Sequence, residues 1–133
     1  MDLSSLDTSK ACDEGSVMQL RHPGTGEPLE NDDKSPMTLT LLGRDSPRFK
    51  AAQNARVNRR IQTAAPGTKI TAEAIDSDGV DLVVDATTGW NVTIDGDKPE
   101  FTSASAKAAY IRFPWMREQA DAWIANRANF LKA

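Results

Sequence analysis

The sequence predicts an α+β fold: a short N-terminal antiparallel β-sheet or hairpin followed by a mainly α-helical part of about four helices. Three observations predict it. Residues 37–42 read Met-Thr-Leu-Thr-Leu-Leu, an alternation with the period of a half-buried strand. Ser46-Pro47 heads a long charged stretch with the chemistry of a helix start, a side chain able to cap and a ring whose missing N–H is not needed there. Trp90, Phe101, Tyr110, Phe113, Trp115, Trp123 and Phe130 all fall within residues 89–131, and Phe49 is the only aromatic elsewhere. Large aromatic side chains carry much of the burial energy of a small protein, so the core is expected there.

Taken in order, residues 1–15 are polar and acidic and predict a flexible N-terminal tail. Residues 16–133 are expected to form a single domain, with 16–43 as a small β-sheet and 44–133 as the helical part. Residues 16–21 suit a first strand with Met18 and Leu20 on one side. His22-Pro23-Gly24-Thr25-Gly26 is dense turn chemistry, residues 27–29 suit a short return strand, and residues 31–36 a loop. Such a sheet is marginal alone and needs helices against its apolar face.

The helix opened by Ser46 carries Phe49, Ala52, Val57 and Ile61 as a thin apolar stripe and is expected to end near Ala65, before Pro66-Gly67. Thr71 can cap the next helix, whose buried face would hold Ile75, Leu82, Val83 and Ala86, with Asp76-Ser77-Asp78-Gly79 as a candidate break. Asp95-Gly96 follows the strand-like residues 92–94 and predicts a hairpin-type turn, since Gly tolerates positive φ. Thr102 or Ser103 starts a helix that reaches about Phe113. There Pro114 ends it and opens another, because the ring disfavours helix at the residue before it yet suits a first turn. In this last helix Met116, Ala120, Trp123, Ile124, Arg127 and Leu131 fall at helical spacing.

The chain has 133 residues, 39% of them hydrophobic and 26% charged, which suits one soluble domain somewhat lean in core material. No apolar run approaches the roughly 18 residues of a membrane span, so no membrane partner is expected. The opening MDLSSLDTSK lacks a basic region followed by an apolar one, so no secretory leader is expected. A single cysteine, Cys12, excludes an internal disulfide and suits a reducing compartment.

A net charge of −3 conceals strong segregation. Arg44, Arg48, Lys50, Arg56, Arg59 and Arg60 face only Asp45 within residues 44–60, while residues 71–88 hold Glu73, Asp76, Asp78, Asp81 and Asp85 and no base. The plainer reading is that the two segments lie together or are solvated. The sharper one makes Arg48, Lys50, Arg56, Arg59 and Arg60 a charged steering face for a partner.

Catalytic chemistry finds little support. His22, the only histidine, lies in a Pro/Gly turn, and Cys12 sits among acids that raise its pKa. Zinc sites need more His and Cys ligands than the chain has. Asp76, Asp78 and Asp81 lack the glycine and closing glutamate of a calcium loop, and no Gly-Lys-Ser/Thr follows Gly24-Thr25-Gly26. The expectation is a non-enzyme with no cofactor and no metal. Nucleic acid is a distant second class: the basic helix 48–60 could contact phosphates, but flanking acids repel a duplex and no aromatics interleave for stacking.

The order of several short signatures resembles a known family. They are Met18-Gln19-Leu20 with Pro23, Thr25-Gly26-Glu27-Pro28-Leu29, then Leu42-Gly43-Arg44-Asp45-Ser46 before the basic helix. Gly89-Trp90-Asn91, Asp95-Gly96, Phe101-Thr102, Pro114-Trp115-Met116-Arg117-Glu118-Gln119 and Arg127-Ala128-Asn129-Phe130-Leu131 follow. Across nearly the whole chain this resembles the tail assembly chaperones of long-tailed (siphophage-type) bacteriophages. No single motif is specific; order and spacing carry the likeness.

The resemblance implies a protein that coats the tape-measure protein, keeps it soluble and recruits tail tube protein during tail morphogenesis. It implies action in the bacterial host cytoplasm and absence from the mature virion. Many such proteins also have a longer form made by programmed frameshift. A holdase for a long helical client needs exposed apolar helix surface. Trp115, Met116, Trp123, Ile124, Arg127, Phe130 and Leu131 are the candidates to supply it, or to pair copies in a homo-oligomer. Each alone suits a core position; together they are expected to exceed what a few helices can cover. The alternative is a small nucleic-acid-binding regulatory protein using the basic helix 48–60.

Overall fold

The computed structural model describes residues 2–63 and 72–131. Their elements run α1 (Thr8–Glu14), β1 (Ser16–Gln19), β2 (Thr38–Leu41), α2 (Pro47–Thr63), α3 (Ala72–Ala86), β3 (Thr87–Asn91), α4 (Ser103–Arg112) and α5 (Pro114–Ala125). Short 3-10 turns lie at Leu3–Leu6 and Arg127–Asn129. The mixture is α+β, as the sequence predicts. The expected helix end near Ala65 and the Thr71 cap fall outside the described residues.

The sheet is antiparallel in the order β1-β2-β3. It is not confined to the N-terminal part, because its third strand arrives only after α3. Leu42 donates its backbone N–H to Ala86 O at 2.7 Å, so the end of α3 feeds straight onto the second edge of β2. The β-branched pair Thr87-Thr88 then continues as strand. Next to it, Asp95 and Gly96 both take positive φ (54° and 84°), and Ile94 and Asp97 exchange backbone bonds, giving the expected tight turn. The return strand expected at 27–29 is reduced to an isolated Arg21–Pro28 bridge, beside a second at Glu30–Pro36; each proline lacks the N–H that would extend the pairing.

Within the N-terminal segment expected as a tail, α1 is folded against the start of α2 and the loop before it. Asp7 caps α1 by accepting from Ser9 N, Cys12 is fully buried, and Gly43 N donates to Cys12 O at 3.0 Å. Gly43 permits this approach: a Cβ there would lie 2.3 Å from Cys12 Sγ and 3.0 Å from Phe130 Cδ2.

Ser46 caps α2 as expected, its Oγ accepting from Phe49 N at 3.2 Å while donating to Asp13 at 2.6 Å. No break occurs at residues 76–79, and α3 is continuous through them. Gly79 leaves room for the Arg117 guanidinium, which binds Asp76 at 2.8 Å from α5. Thr102 and Ser105 form a reciprocal capping box at the start of α4, and Pro114 opens α5.

One contiguous core joins Leu39 and Leu41 of β2, Val80 and Val83 of α3, Tyr110 of α4 and Met116, Ala120 and Ile124 of α5. Burying each of the larger aliphatic side chains is worth about 1.5–3 kcal/mol. The opposite face of the sheet, carrying Val17 and Gln19, remains exposed.

Candidate protein-interaction surface

The seven residues proposed for partner binding do not form one exposed patch. Met116, Ile124 and Phe130 are buried, at 3%, 6% and 6% exposure, and belong to the interior. Helix α5 stops at Ala125 because Asn126 leaves helical backbone and caps the following turn at Ala128 N. Arg127 and Leu131 therefore leave the α5 stripe. Arg127 instead clamps Asp45 with two bonds, 2.6 and 3.1 Å. Trp115 and Trp123 are half-buried: Trp115 tilts against Phe113 at 6.1 Å, and Trp123 Nε1 donates to Ser16 Oγ at 2.7 Å.

Much of the basic helix is neutralised by carboxylates within the chain. Arg48 pairs with Asp13 at 3.3 Å and also donates to the Asp13 carbonyl. Arg56 binds Asp85 at 2.5 Å and Asp81 at 3.5 Å, and Lys107 reaches Asp81 from α4 at 3.0 Å. Lys50 and Arg59 are exposed on α2, and the Arg60 side chain lies outside the described residues. Basic α2 and acidic α3 thus lie side by side, as the plainer reading of the charge pattern held.

Exposed apolar surface lies where sequence periodicity expected burial. Val57 and Ile61 of α2, one helical turn apart, are 52% and 69% exposed, and Ile75 of α3 is 59% exposed. Only Phe49 and Ala52 of the α2 stripe are partly covered. Among the described residues α2 packs chiefly on α3, with its start against α1. Val57 and Ile61 line a shallow, mainly apolar groove of about 260 Å³ with Leu82, Gln53, Arg56 and Asp78. Periodicity could not reveal this: an apolar stripe marks the face a helix can bury, and whether anything arrives to cover it is a tertiary matter.

Burial raises the Cys12 thiol pKa, which disfavours the thiolate. His22 Nδ1 accepts from Gly24 N and Thr25 N at 3.0 and 3.1 Å, as an exposed turn cap. Hydrogen bonds from Arg127, then from Thr8, hold the Asp45 pKa down at about 2. Among the described residues no cluster of three His, Cys, Asp or Glu side chains could hold a metal ion. No helix among them is long and apolar enough to cross a membrane.

No family model, curated protein or solved structure matches the chain.

Proposed function

We propose that this protein is a tail assembly chaperone of a long-tailed phage, binding the tape-measure protein and recruiting tail tube protein before it leaves the assembly. Two things support the reading: the order of motifs along the chain, and the exposed apolar flank of Val57 and Ile61 on α2 with Ile75 exposed on the neighbouring α3. The flank is the observation that carries it. A folded subunit that leaves three β-branched aliphatic side chains more than half exposed on adjacent helices has surface to offer an amphipathic helix. The proposed client surface accordingly moves from α5 to α2 and α3.

Co-expression tests it. Co-expressed with a phage tape-measure protein, the chain is expected to keep that client in the soluble fraction and to co-purify with it. Mass spectrometry of finished particles should detect no chaperone. A client equally soluble without this chain would refute the reading. The competing assignment, a nucleic-acid-binding regulator using the basic helix 48–60, is weakened by the pairing of Arg48 and Arg56 with carboxylates. Salt-dependent retention on DNA would favour it instead.

A further inference from the structure

β1 is an edge strand with part of its backbone still unpaired. Ser16 and Met18 stand opposite Leu41 and Leu39, and Leu20 N donates to Met37 O at 2.8 Å. In an antiparallel ladder successive residues present their N–H and C=O to opposite sides, so Val17, Gln19 and Arg21 turn theirs away from β2. Both ends of this outer edge are closed. Gly15 N donates back to Ala11 O at 3.2 Å. At Arg21 the Gln119 side chain takes a neighbouring strand's place: Oε1 accepts from Arg21 N at 2.9 Å, and Nε2 donates to Arg21 O at 2.8 Å. Between these ends, the outward backbone groups of Val17 and Gln19 have no hydrogen-bond partner among the described residues.

Beside this edge runs an open groove of about 520 Å³, walled on its far side by Gln119, Ala122 and Trp123 of α5. The bond to Ser16 holds the Trp123 indole in place. β1 carries no charge and no proline, the devices that usually protect an edge, and Val17 is 60% exposed.

We infer that this edge and the α5 wall form a docking site for an extended segment of a partner polypeptide, which adds to the sheet as a fourth strand. Steric and charge considerations select that occupant. The Gln119 side chain of α5 already occupies the outer side of Arg21. A second copy would bring its own α5 to the same place, whereas a bare strand needs only the roughly 4.8 Å spacing of paired strands. Arg21 lines the groove and no carboxylate does, so a segment carrying acidic side chains is complementary. The site is separate from the α2–α3 flank and stands independently of the chaperone reading.

The test is a nuclear magnetic resonance titration of the ¹⁵N-labelled full chain with a short capped peptide alternating valine and glutamate. The same peptide, N-methylated at the residues facing β1, is the control. The Val17 and Gln19 amide signals and the Trp123 indole signal are expected to shift, with slower exchange at the two amides. The N-methylated peptide should bind about thirtyfold more weakly, having lost two backbone donors. Val17→Pro removes one outward donor without touching the β2 ladder, and is expected to weaken binding at unchanged melting temperature. Absence of shifts, equal binding of the N-methylated peptide, or shifts confined to Val57 and Ile61 would overturn the proposal. So would concentration-dependent shifts at β1 without peptide, which would assign the edge to a second copy.

Discussion

Tyr110 donates its phenolic hydrogen to Thr87 Oγ1 across 2.7 Å, because the Thr87 hydroxyl hydrogen is committed to Val83 O at 2.7 Å. Both residues are buried, at 1% and 5% exposure. The chain of bonds ties α4 to the point where α3 becomes β3. Tyr110→Phe is expected to cost about 0.5–1.5 kcal/mol, the net worth of one hydrogen bond. Thr87→Val should cost more, about 1–3 kcal/mol, because it strands the buried phenol. Urea denaturation of the two single variants and the double variant would measure the coupling, and additive losses would contradict the geometry.

Alkaline stability should report the same phenol. Burial raises its pKa to about 12. A raised folded pKa gives stability that is fully present below the unfolded value near 10 and lost as pH rises towards 12. Phenolate absorbance should therefore appear late and together with unfolding, and Tyr110→Phe should remove that part of the alkaline loss.

Acid tests the Asp45–Arg127 clamp with the opposite sign. The folded pKa of Asp45 is lowered from 3.8 to about 2, so its contribution is present above 3.8 and lost as pH falls through 2. Asp45→Asn should lose less stability than the parent over that window. Equal acid profiles for the two proteins would contradict the clamp.

Replacing Val57 and Ile61 together by glutamate separates client binding from folding. Both are exposed surface positions, so stability should change by no more than about 0.5 kcal/mol per site. Solubilisation of the tape-measure protein should be lost. By contrast, Met116→Ala or Ile124→Ala should cost about 2–5 kcal/mol through a core cavity. Thermal melts read beside co-expression assays distinguish the two classes.

Gly43→Ala is expected to destabilise by about 1–3 kcal/mol, since the new methyl must displace Cys12 and Phe130 from close packing. Adding Cys12→Ala should recover part of the loss, because it removes the closest atom.

Local chemistry was legible wherever a residue acts on its own backbone neighbours. The Ser46 and Thr102 caps, the Asp95-Gly96 turn and the division of α4 from α5 at Pro114 all follow from steric and hydrogen-bonding rules within a few residues. The candidate surface was less legible, since exposure depends on distant partners. Nothing in the α5 stripe tells that Ile124 is covered, and nothing in the α2 stripe tells that Ile61 is not.

The sequence alone settled the α+β class and the helix starts at Ser46, at Thr102 or Ser103, and at Pro114. Tertiary structure alone decided that residues 87–91 close the sheet, that α1 packs with Cys12 buried, and that Val57 and Ile61 of α2 and Ile75 of α3 stay exposed. The physical reason is range. Caps and turns act between atoms a few bonds apart along the chain, whereas strand pairing and burial depend on which distant segment reaches a given face first.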